Sequence, residues 1–300
     1  MTEQTPAGAR LLGVALPMTL STALTLGRIS NLPTVWTNAL AAAALSGAAF
    51  GTVGVIVALL ALSLSYVGGM WLNDAFDAEI DAAERADRPI PTGRARRGDV
   101  FVGGFAMLGL GWALVWPFGL EAALAGAALA LAILAYDYLH KKTVLSPVLM
   151  GACRLGAYWV AGAALGSAGM SEPAWWGAFG LFAYVIGLTY AAKQEAYDRL
   201  EALWPLGVLA IPLLLALWFA LGSWIGLLLW LVFAIWTAKC VELLTTRGPG
   251  DVPRAVVSLI AGIALYDAVL IAGAGLPALA LLAALGFVAT LALQRVAAGT

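Results

Sequence analysis

Residues 71–97 read WLNDAFDAEIDAAERADRPIPTGRARR and follow a long stretch that carries no charge. Oxygen-bearing side chains recur in it at i, i+1, i+4 and i+8, as Asn73, Asp74, Asp77 and Asp81. At about 100° per residue, these positions fall within roughly a 100° arc of one helix face. Four such side chains aligned at the end of an apolar helix need a cationic partner.

The composition indicates an integral membrane protein. The chain has 300 residues, of which 62% are hydrophobic and only 11% are charged, and its mean hydropathy is +0.93. Soluble domains carry about 25% charged residues. A net charge of −1 indicates no nucleic-acid partner. Cys153 and Cys240 lie in or beside apolar segments, which favours free thiols over a disulfide, and the single histidine, His140, argues against a histidine-based metal site.

The apolar segments predict an all-α fold, a polytopic helical bundle of about nine to ten transmembrane helices in a lipid bilayer, because each segment is near the ~20 residues that cross a membrane. They cover roughly residues 29–48, 52–72, 100–117, 120–138, 147–168, 175–194, 204–221, 223–244, 254–273 and 277–295. Leu11 to Leu26 is predicted to be an interfacial or re-entrant lead-in helix, because Arg28 follows it and Pro33 interrupts the pattern.

The lysines and arginines are distributed to one side of these segments. They precede the first segment, follow the even-numbered ones or lie near the same helix ends, and the loops after the odd-numbered segments have none. This asymmetry follows the positive-inside rule. It predicts a multi-pass protein of the cell (inner) membrane, with both termini and the acidic stretch on the cytoplasmic side.

The acidic stretch suits a magnesium site at the cytoplasmic end of the second segment. A charge at membrane depth costs roughly 2.5–3.5 kcal/mol on insertion scales, and neighbouring carboxylates raise one another's pKa. A divalent cation relieves both effects, and oxygen ligands are those that Mg²⁺ prefers. Arg85 and Arg88 follow within reach as phosphate partners. The alternative is a solvated helix whose acids and bases pair with one another.

Residues 73–81, NDAFDAEID, match the N-D-x-x-D-x-x-x-D pattern of the UbiA superfamily of intramembrane prenyltransferases. The following residues, from Arg85 to Gly93, resemble that family's D-x-x-x-x-R-P-x-x-x-G continuation. The resemblance extends from about Arg28 to the last segment. It implies a helical bundle around a lateral cavity with cytoplasmic cap loops, formed by residues 28–300 and preceded by a tail and lead-in segment over residues 1–27.

The resemblance also implies an activity, the Mg²⁺-dependent transfer of a prenyl group. An allylic isoprenyl diphosphate ionises, and a small hydrophobic or amphipathic acceptor captures the carbocation as diphosphate is released. Asp74, Asp77 and Asp81 would be the catalytic metal ligands, Asn73 would orient the diphosphate, and Arg88 would neutralise it. Acceptors of the family include quinone-precursor aromatics, haem, chlorophyll precursors and glyceryl lipids.

Two polar residues at the start of the first segment match the family's R-x-x-N pattern, which contacts the diphosphate or the acceptor. These are Arg28 and Asn31. The pattern leaves open that Arg28 is a topology anchor and that Asn31 caps a helix. Asn38, two turns further on, is a candidate for hydrogen bonding between helices.

Residues 136–143, YDYLHKKT, resemble the family's Y-x-x-x-L-K-R-x-T stretch, which covers the cavity mouth. Tyr136, Tyr138 and Lys142 are therefore candidate substrate-binding residues, and Asp137 is a candidate for orienting one of them. An interfacial belt of aromatic and basic side chains would explain the same residues without any chemistry.

Two further charges lie deeper in the predicted membrane segments. Arg154 needs an anion at that depth, either the substrate's diphosphate or an acid of the central motifs, and is a candidate substrate-binding residue. Asp267 is an isolated acid in the ninth segment. Such residues are functional candidates by default, although Asp267 could also hydrogen-bond a neighbouring helix.

Residues 193–198, KQEAYD, occupy the place of the family's second acidic motif, which holds a second Mg²⁺. Glu195 and Asp198, spaced i, i+3 on one helix face, are predicted to be catalytic metal ligands, and Lys193 a diphosphate partner. Gln194 stands where many members have Asp, a departure that resembles the divergent UbiA-like proteins called EboC. A salt-bridged helix end is the alternative.

Two other classes of function fit the sequence. A secondary transporter would place ion-carrying acids near mid-membrane and show an internal repeat. The acids cluster instead at cytoplasmic segment ends, and no convincing repeat is present. A non-catalytic UbiA-like scaffold or binding subunit would be consistent with the altered second motif. Release of diphosphate from prenyl diphosphates would distinguish an enzyme from both.

Overall fold

The computed structural model describes residues 18–49, 53–193, 207–246, 248 and 250–296, and this part of the chain forms twelve α-helices. In chain order they are α1 (Leu20–Leu26), α2 (Leu32–Leu45), α3 (Val53–Phe76), α4 (Ala78–Glu84), α5 (Arg97–Val115), α6 (Leu120–Leu139), α7 (Ser146–Leu165), α8 (Glu172–Lys193), α9 (Ala210–Ala220), α10 (Trp224–Thr246), α11 (Asp251–Gly273) and α12 (Pro277–Val296). Short 3₁₀ helices, Ile29–Asn31 and Trp116–Phe118, precede α2 and follow α5.

The all-α bundle predicted from the apolar segments is confirmed, and the chain is a multi-pass membrane protein. Each predicted segment corresponds to a helix, namely α2, α3 and α5–α12. Seven described helices are long and apolar enough to cross a membrane, and α9 is a shorter apolar helix. The exact number of crossings stays a prediction. Of the lead-in segment, α1 is described, whereas residues 11–17 lie outside the described part.

Helix α11 lies at the centre of the bundle and contacts α2, α8, α9, α10 and α12. Its residues from Ala261 to Ala272 are all buried. A helix that is buried on every side must be apolar around its whole circumference, and this one is, apart from Tyr266 and Asp267. Both of these side chains are fully buried, so their polar atoms must find partners inside the protein.

Helix α3, which carries Asn73 and Asp74, packs closely on α5 through glycines. A Cβ atom on Gly68 would lie 2.8 Å from the carbonyl oxygen of Gly104. A Cβ atom on Gly104 would lie 2.7 Å from Cγ of Leu72. Small residues permit such close helix contacts in membranes. This contact holds α3 against α5 at a point little more than one helical turn before Asn73.

The predicted acidic helix face is divided at Asp77. Helix α3 ends at Phe76 and α4 begins at Ala78. The backbone N–H of Asp77 nevertheless donates to the carbonyl of Asn73 at 3.0 Å, and that of Asp81 donates to Asp77 at 2.8 Å. The turn spacing is thereby kept across the junction. All four predicted side chains, including Asp74, are buried.

Candidate active site

Asp74 is the acid on which two arginines converge. Nη2 of Arg28 donates to Oδ1 of Asp74 at 3.2 Å and lies 3.4 Å from Oδ1 of Asn73. Nη1 of Arg88 lies 3.8 Å from the same Asp74 oxygen. Asp74 is only 4% exposed, so water screens these charges weakly. The structure thus brings the candidates Arg28 and Arg88 together with the first two residues of the acidic motif.

The backbone of Arg28 has an unusual conformation that directs its side chain. Its φ of 42° and ψ of 49° are left-handed, and Arg28 is the non-glycine residue with positive φ in the described chain. Such residues are uncommon because the Cβ atom crowds the following carbonyl. Oη of Tyr66 donates to the carbonyl oxygen of Arg28 at 3.2 Å. This turn between α1 and the 3₁₀ helix presents the guanidinium to Asp74.

Asp77 is paired with His140, which was not predicted from the sequence to be a site residue. Nε2 of His140 lies 3.0 Å from Oδ2 of Asp77, and both side chains are largely buried. The His140 ring also stacks on Tyr136, with ring centroids 4.9 Å apart. The two partners are 63 positions apart, so no local spacing signals the contact. The i, i+4 relation of Tyr136 and His140 is the one feature of the sequence that places the ring near a candidate residue.

Asn73 is held by Asp137 at the end of α6. Nδ2 of Asn73 donates to Oδ1 of Asp137 at 3.2 Å. Asp137 is 3% exposed, and its Oδ2 atom has no hydrogen-bond partner among the described residues. The sequence predicted that Asp137 would orient a neighbouring tyrosine or lysine. In the structure it orients the motif's own asparagine and presents an unpaired carboxylate oxygen.

Asp81 lies in the first turn of α4, within the electrostatic field of the other acids. Burial raises the pKa of Asp81 above its ordinary value, Arg88 opposes that shift, and the charges of Asp74 and Asp77 add to it. The pKa of Arg88 is lowered, first by burial and then by the positive charge of Arg28. Both pKa shifts arise because charged side chains are buried close to one another.

The donor chemistry of this region fits a divalent cation with oxygen ligands. Asp74, Asp77 and Asp81 supply carboxylates from consecutive helical turns, and their mutual repulsion is the effect that such an ion relieves. Within the described ranges, no three His, Cys, Asp or Glu side chains are gathered closely enough to hold an ion as they stand. Asp74 points instead to two arginines and Asp77 to a histidine.

A cavity of about 580 Å³, a volume that includes the part open to its surroundings, borders this acidic region. Apolar side chains of α2, α3, α6 and α7 line most of it, including Val35, Leu62, Leu129, Ile133 and Met150. Its polar lining comprises Ser65, Tyr66, Tyr136, Asp137, Cys153 and Arg154. Because Asp137 both lines the cavity and accepts from Asn73, the acidic motif connects directly to the cavity wall. Cys153 and Cys240 are free thiols, as predicted.

Arg154 reaches the cavity from α7. Its Nη1 donates to Oδ1 of Asn38 at 2.8 Å, and its guanidinium lies 5.9 Å from the ring centroid of Tyr66. Asn38 in turn donates to Oδ2 of Asp267 at 2.7 Å. The anion that Arg154 needs is therefore supplied within the protein by Asp267, through Asn38. The prediction that Asn38 hydrogen-bonds between helices is confirmed.

Tyr138 and Lys142 do not line the cavity. Tyr138 is 58% exposed, and Nζ of Lys142 lies 3.7 Å from its ring centroid. The structure does not bring either side chain to the cavity lining. Asn31 is buried, and its Oδ1 accepts from Nε2 of Gln294 at 3.0 Å. Arg85 is exposed at the end of α4.

The second acidic motif falls largely outside the described part of the chain. Helix α8 is described as far as Lys193, whose side chain is not described, and Glu195 and Asp198 lie outside the described residues. The predictions for these three residues therefore remain predictions.

Comparison with known proteins shows similarity in both sequence and fold. The chain is 34% identical over 164 residues to the digeranylgeranylglyceryl phosphate synthase of Methanopyrus kandleri, a match that covers 54% of this chain and 58% of that relative's length. A solved structure described as a digeranylgeranylglyceryl phosphate synthase superposes with a TM-score of 0.63 at 18% identity and covers 85% of this chain and 98% of its own.

Two further solved structures have the same fold. A UbiA homologue of Aeropyrum pernix K1 gives a TM-score of 0.61 at 19% identity, covering 81% of this chain and 96% of its own. A UbiA homologue of Archaeoglobus fulgidus, bound to DMAPP and Mg²⁺, gives 0.53 at 12% identity, covering 86% and 99%. Residues 31–249 match the model of the UbiA prenyltransferase family. The acidic motif, the bundle around its cavity and this match over most of the chain show that the protein belongs to the UbiA prenyltransferase family.

Proposed function

We propose that this protein is a membrane-embedded, Mg²⁺-dependent prenyltransferase. The observation that carries the proposal is the placement of Asp74, Asp77 and Asp81 on consecutive turns beside an apolar cavity that Asp137 connects to them. Its substrates are an allylic isoprenyl diphosphate and a small hydrophobic or amphipathic acceptor. Membership of the family and the Archaeoglobus fulgidus homologue bound to DMAPP and Mg²⁺ support this assignment.

The acidic residues and their partners bind the diphosphate end of the donor. Asp74, Asp77 and Asp81 are the carboxylates that would hold Mg²⁺, which when bound neutralises charge on the leaving diphosphate. Arg28 and Arg88, within 3.2 and 3.8 Å of Asp74, are the cations positioned for phosphate oxygens.

Asn73 orients the same group. Its Nδ2 is already engaged by Asp137, while its Oδ1 lies near Arg28. This pairing fixes the orientation of the Asn73 amide, because a carboxylate only accepts hydrogen bonds and only the amide nitrogen can donate one. Arg85, exposed at the end of α4, is proposed to bind the diphosphate as a further cation.

The cavity accommodates the prenyl chain and excludes water. Its walls are mostly apolar, so an allylic cation formed there meets the acceptor rather than solvent. Tyr136 lies at the polar end beside Asp137, and Arg154 lies about 12 Å along α7 from Ser146, at 1.5 Å per residue. Both are proposed substrate-binding residues, and Asn31 is proposed to support Arg28 from the helix start.

Five residues complete the proposal from outside the described cavity. Glu195 and Asp198 are proposed to hold a second Mg²⁺ and Lys193 to bind the diphosphate, as their positions in the family's second motif imply. Tyr138, in the last turn of α6, and Lys142, in the loop after it, are proposed to contact substrate. Alanine substitution at each position, measured as diphosphate release, tests these assignments one by one.

The proposed location is the cell (inner) membrane, with both termini and the acidic motif in the cytoplasm. Asp87 and Gly222 are exposed and lie in loops of opposite predicted sides. In a background with Cys153 and Cys240 changed to alanine, a cysteine at position 87 should react with a membrane-impermeant maleimide only after cell lysis or in inverted vesicles. A cysteine at position 222 should react in intact cells, and the reverse pattern would contradict the topology.

Diphosphate release tests the activity directly. Purified protein in detergent, supplied with DMAPP or geranyl diphosphate, should release inorganic diphosphate with Mg²⁺ and not with EDTA. The curated relative is named as a glyceryl phosphate synthase, so a prenylated glyceryl phosphate is the first acceptor to include, and a phenolic acid the second. No release from any C10–C20 donor, with any acceptor, would favour a non-catalytic binding subunit.

A further inference from the structure

A chain of buried polar groups runs from the centre of the bundle to the cavity. Asp267, in the buried stretch of α11 from Ala261 to Ala272, is 0% exposed. Its Oδ2 accepts from Oγ1 of Thr37 at 2.6 Å and from Nδ2 of Asn38 at 2.7 Å, and its Oδ1 accepts from the hydroxyl of Tyr158. Three donors on one carboxylate fit its ionised form.

The far end of this chain is the guanidinium of Arg154. A carboxylate is an acceptor only, so Asn38 must turn its Nδ2 to Asp267 and its Oδ1 away from it. That Oδ1 accepts from Nη1 of Arg154 at 2.8 Å. Asp267 therefore fixes the amide of Asn38 in the orientation that Arg154 requires.

Charge balance supports the same connection. An arginine inside the membrane needs an anion, and among the described residues Asp267 is the carboxylate whose charge acts on Arg154. Asn38 separates the two, so Arg154 is compensated without being covered by a direct ion pair. An arginine has five N–H donors, and most of those on Arg154 are not engaged by any described residue.

We propose that Asp267 is a positioning residue, which supplies the counter-charge of Arg154 through Asn38 and holds the guanidinium at the cavity wall, facing the substrate. The counter-charge stands on the geometry alone. The role in turnover rests on the proposed prenyltransferase function, because that function defines what the cavity binds. Asp267 does not itself line the cavity.

Moving the negative charge from position 267 to position 38 tests whether Asp267 is the counter-charge of Arg154. Asp267→Asn leaves Arg154 without an anion, and Asn38→Asp places two carboxylates beside one guanidinium. Each single variant should lower the thermal midpoint in detergent by several degrees. The double variant returns one carboxylate to the pair, now directly against Arg154, and the new amide at position 267 can donate to it and accept from Tyr158. Its midpoint should return close to that of the wild type.

The Arg154→Gln background separates a counter-charge from general packing. Without the guanidinium, Asp267→Asn should cost much less than it does in the wild type. Equal losses of thermal midpoint in the two backgrounds would overturn the proposal. An Asn38→Asp/Asp267→Asn variant whose midpoint falls by the sum of the two single losses would also overturn it. If the single variants do not fold, the charge-balanced pair Arg154→Gln/Asp267→Asn should still fold, and its failure to do so while Arg154→Gln folds also counts against the proposal.

Diphosphate release from geranyl diphosphate is the second readout. Asp267→Asn should lower it about tenfold, the exchange with Asn38→Asp should restore it, and the restoration should vanish in the Arg154→Gln background. Thr37→Val is the matched control, because it removes one donor to Asp267 and leaves Asn38 in place, and it should cost less than about threefold. A wild type with no release refutes the proposed function, yet the midpoints still decide the counter-charge. If the thermal midpoints show the coupling but Asp267→Asn releases diphosphate at the wild-type rate, the positioning role is overturned.

Discussion

The ring of His140 is bonded on both of its nitrogens to oxygen acceptors, and one of these is Oδ2 of Asp77 at 3.0 Å. Nδ1 faces the backbone carbonyls of Tyr136 and Asp137 at 3.2 and 3.3 Å. A carboxylate only accepts hydrogen bonds, so Nε2 of His140 carries the hydrogen of the contact with Asp77. His140 thus engages the Asp77 oxygen that Mg²⁺ would bind.

Replacing His140 should change how strongly Mg²⁺ stabilises the protein. In His140→Leu the Asp77 carboxylate loses its partner, which lowers the thermal midpoint in EDTA because a largely buried charge is left uncompensated. Adding Mg²⁺ should recover most of that loss, since the ion no longer competes with the histidine for the carboxylate. The measurement is the thermal midpoint of both proteins with and without millimolar Mg²⁺. Equal Mg²⁺-dependent shifts in the two proteins would show that His140 and the ion do not share Asp77.

The acidic residues should be individually essential for turnover. Asp77→Ala and Asp81→Ala are each expected to lower Mg²⁺-dependent diphosphate release by about a hundredfold or more, because each removes a proposed metal ligand. Glu79→Ala is the matched control on the same short helix, since Glu79 is exposed and pairs with Arg97 at 2.8 Å on the surface. Such a pair contributes little, so its release should stay within about twofold. A near-wild-type rate in either aspartate variant removes that residue from the site.

Arg28 should require its guanidinium and not only its charge. Arg28→Lys keeps a cation on the same left-handed backbone, but both contacts come from the terminal Nη2 of the guanidinium, at 3.2 Å to Asp74 and 3.4 Å to Asn73. The shorter lysine side chain lacks both that reach and the remaining guanidinium donors. We expect diphosphate release to fall about tenfold, with a small change in thermal midpoint. Arg295→Lys, an exposed change in the last turn of α12, is the control. If Arg28→Lys were as active as that control, Arg28 would be only a topology anchor.

Much of the site could be predicted because its signals are local. The i, i+1, i+4 and i+8 spacing placed four side chains on one helical face, and the structure keeps that spacing across the break at Asp77. The charge run after it predicted Arg88 within reach of the same site, and Nη1 of Arg88 lies 3.8 Å from Asp74. Apolar length predicted the helices, since membrane segments must satisfy their backbone hydrogen bonds internally.

The contacts that were not predicted all join residues distant in the chain. His140 and Asp77 are 63 positions apart, and Asn38 and Asp267 are 229 apart. A single sequence contains no signal for which buried donor meets which acceptor. The position of Tyr138 was ambiguous for another reason, because aromatic residues at a membrane interface and at a cavity mouth have the same local pattern.

The close contact of α3 with α5 predicts a difference between two glycine substitutions. Gly68→Ala would place a Cβ atom 2.8 Å from the backbone oxygen of Gly104, which no side-chain rotation can relieve. We expect the free energy of unfolding to fall by about 1–3 kcal/mol and the thermal midpoint to fall with it. Diphosphate release should also drop, because α3 must shift away from α5 and carries Asn73 and Asp74 with it.

Gly109→Ala is the matched control for this prediction. Gly109 is exposed on α5, and a Cβ atom added to it would meet no neighbouring atom within 4 Å. Alanine there should leave the midpoint unchanged or raise it slightly, because alanine favours helix by up to about 1 kcal/mol over glycine. If both variants behaved alike, the α3–α5 contact would not set the position of the acidic motif. A lower midpoint with full activity in Gly68→Ala would instead mean that α3 can move without displacing Asp74.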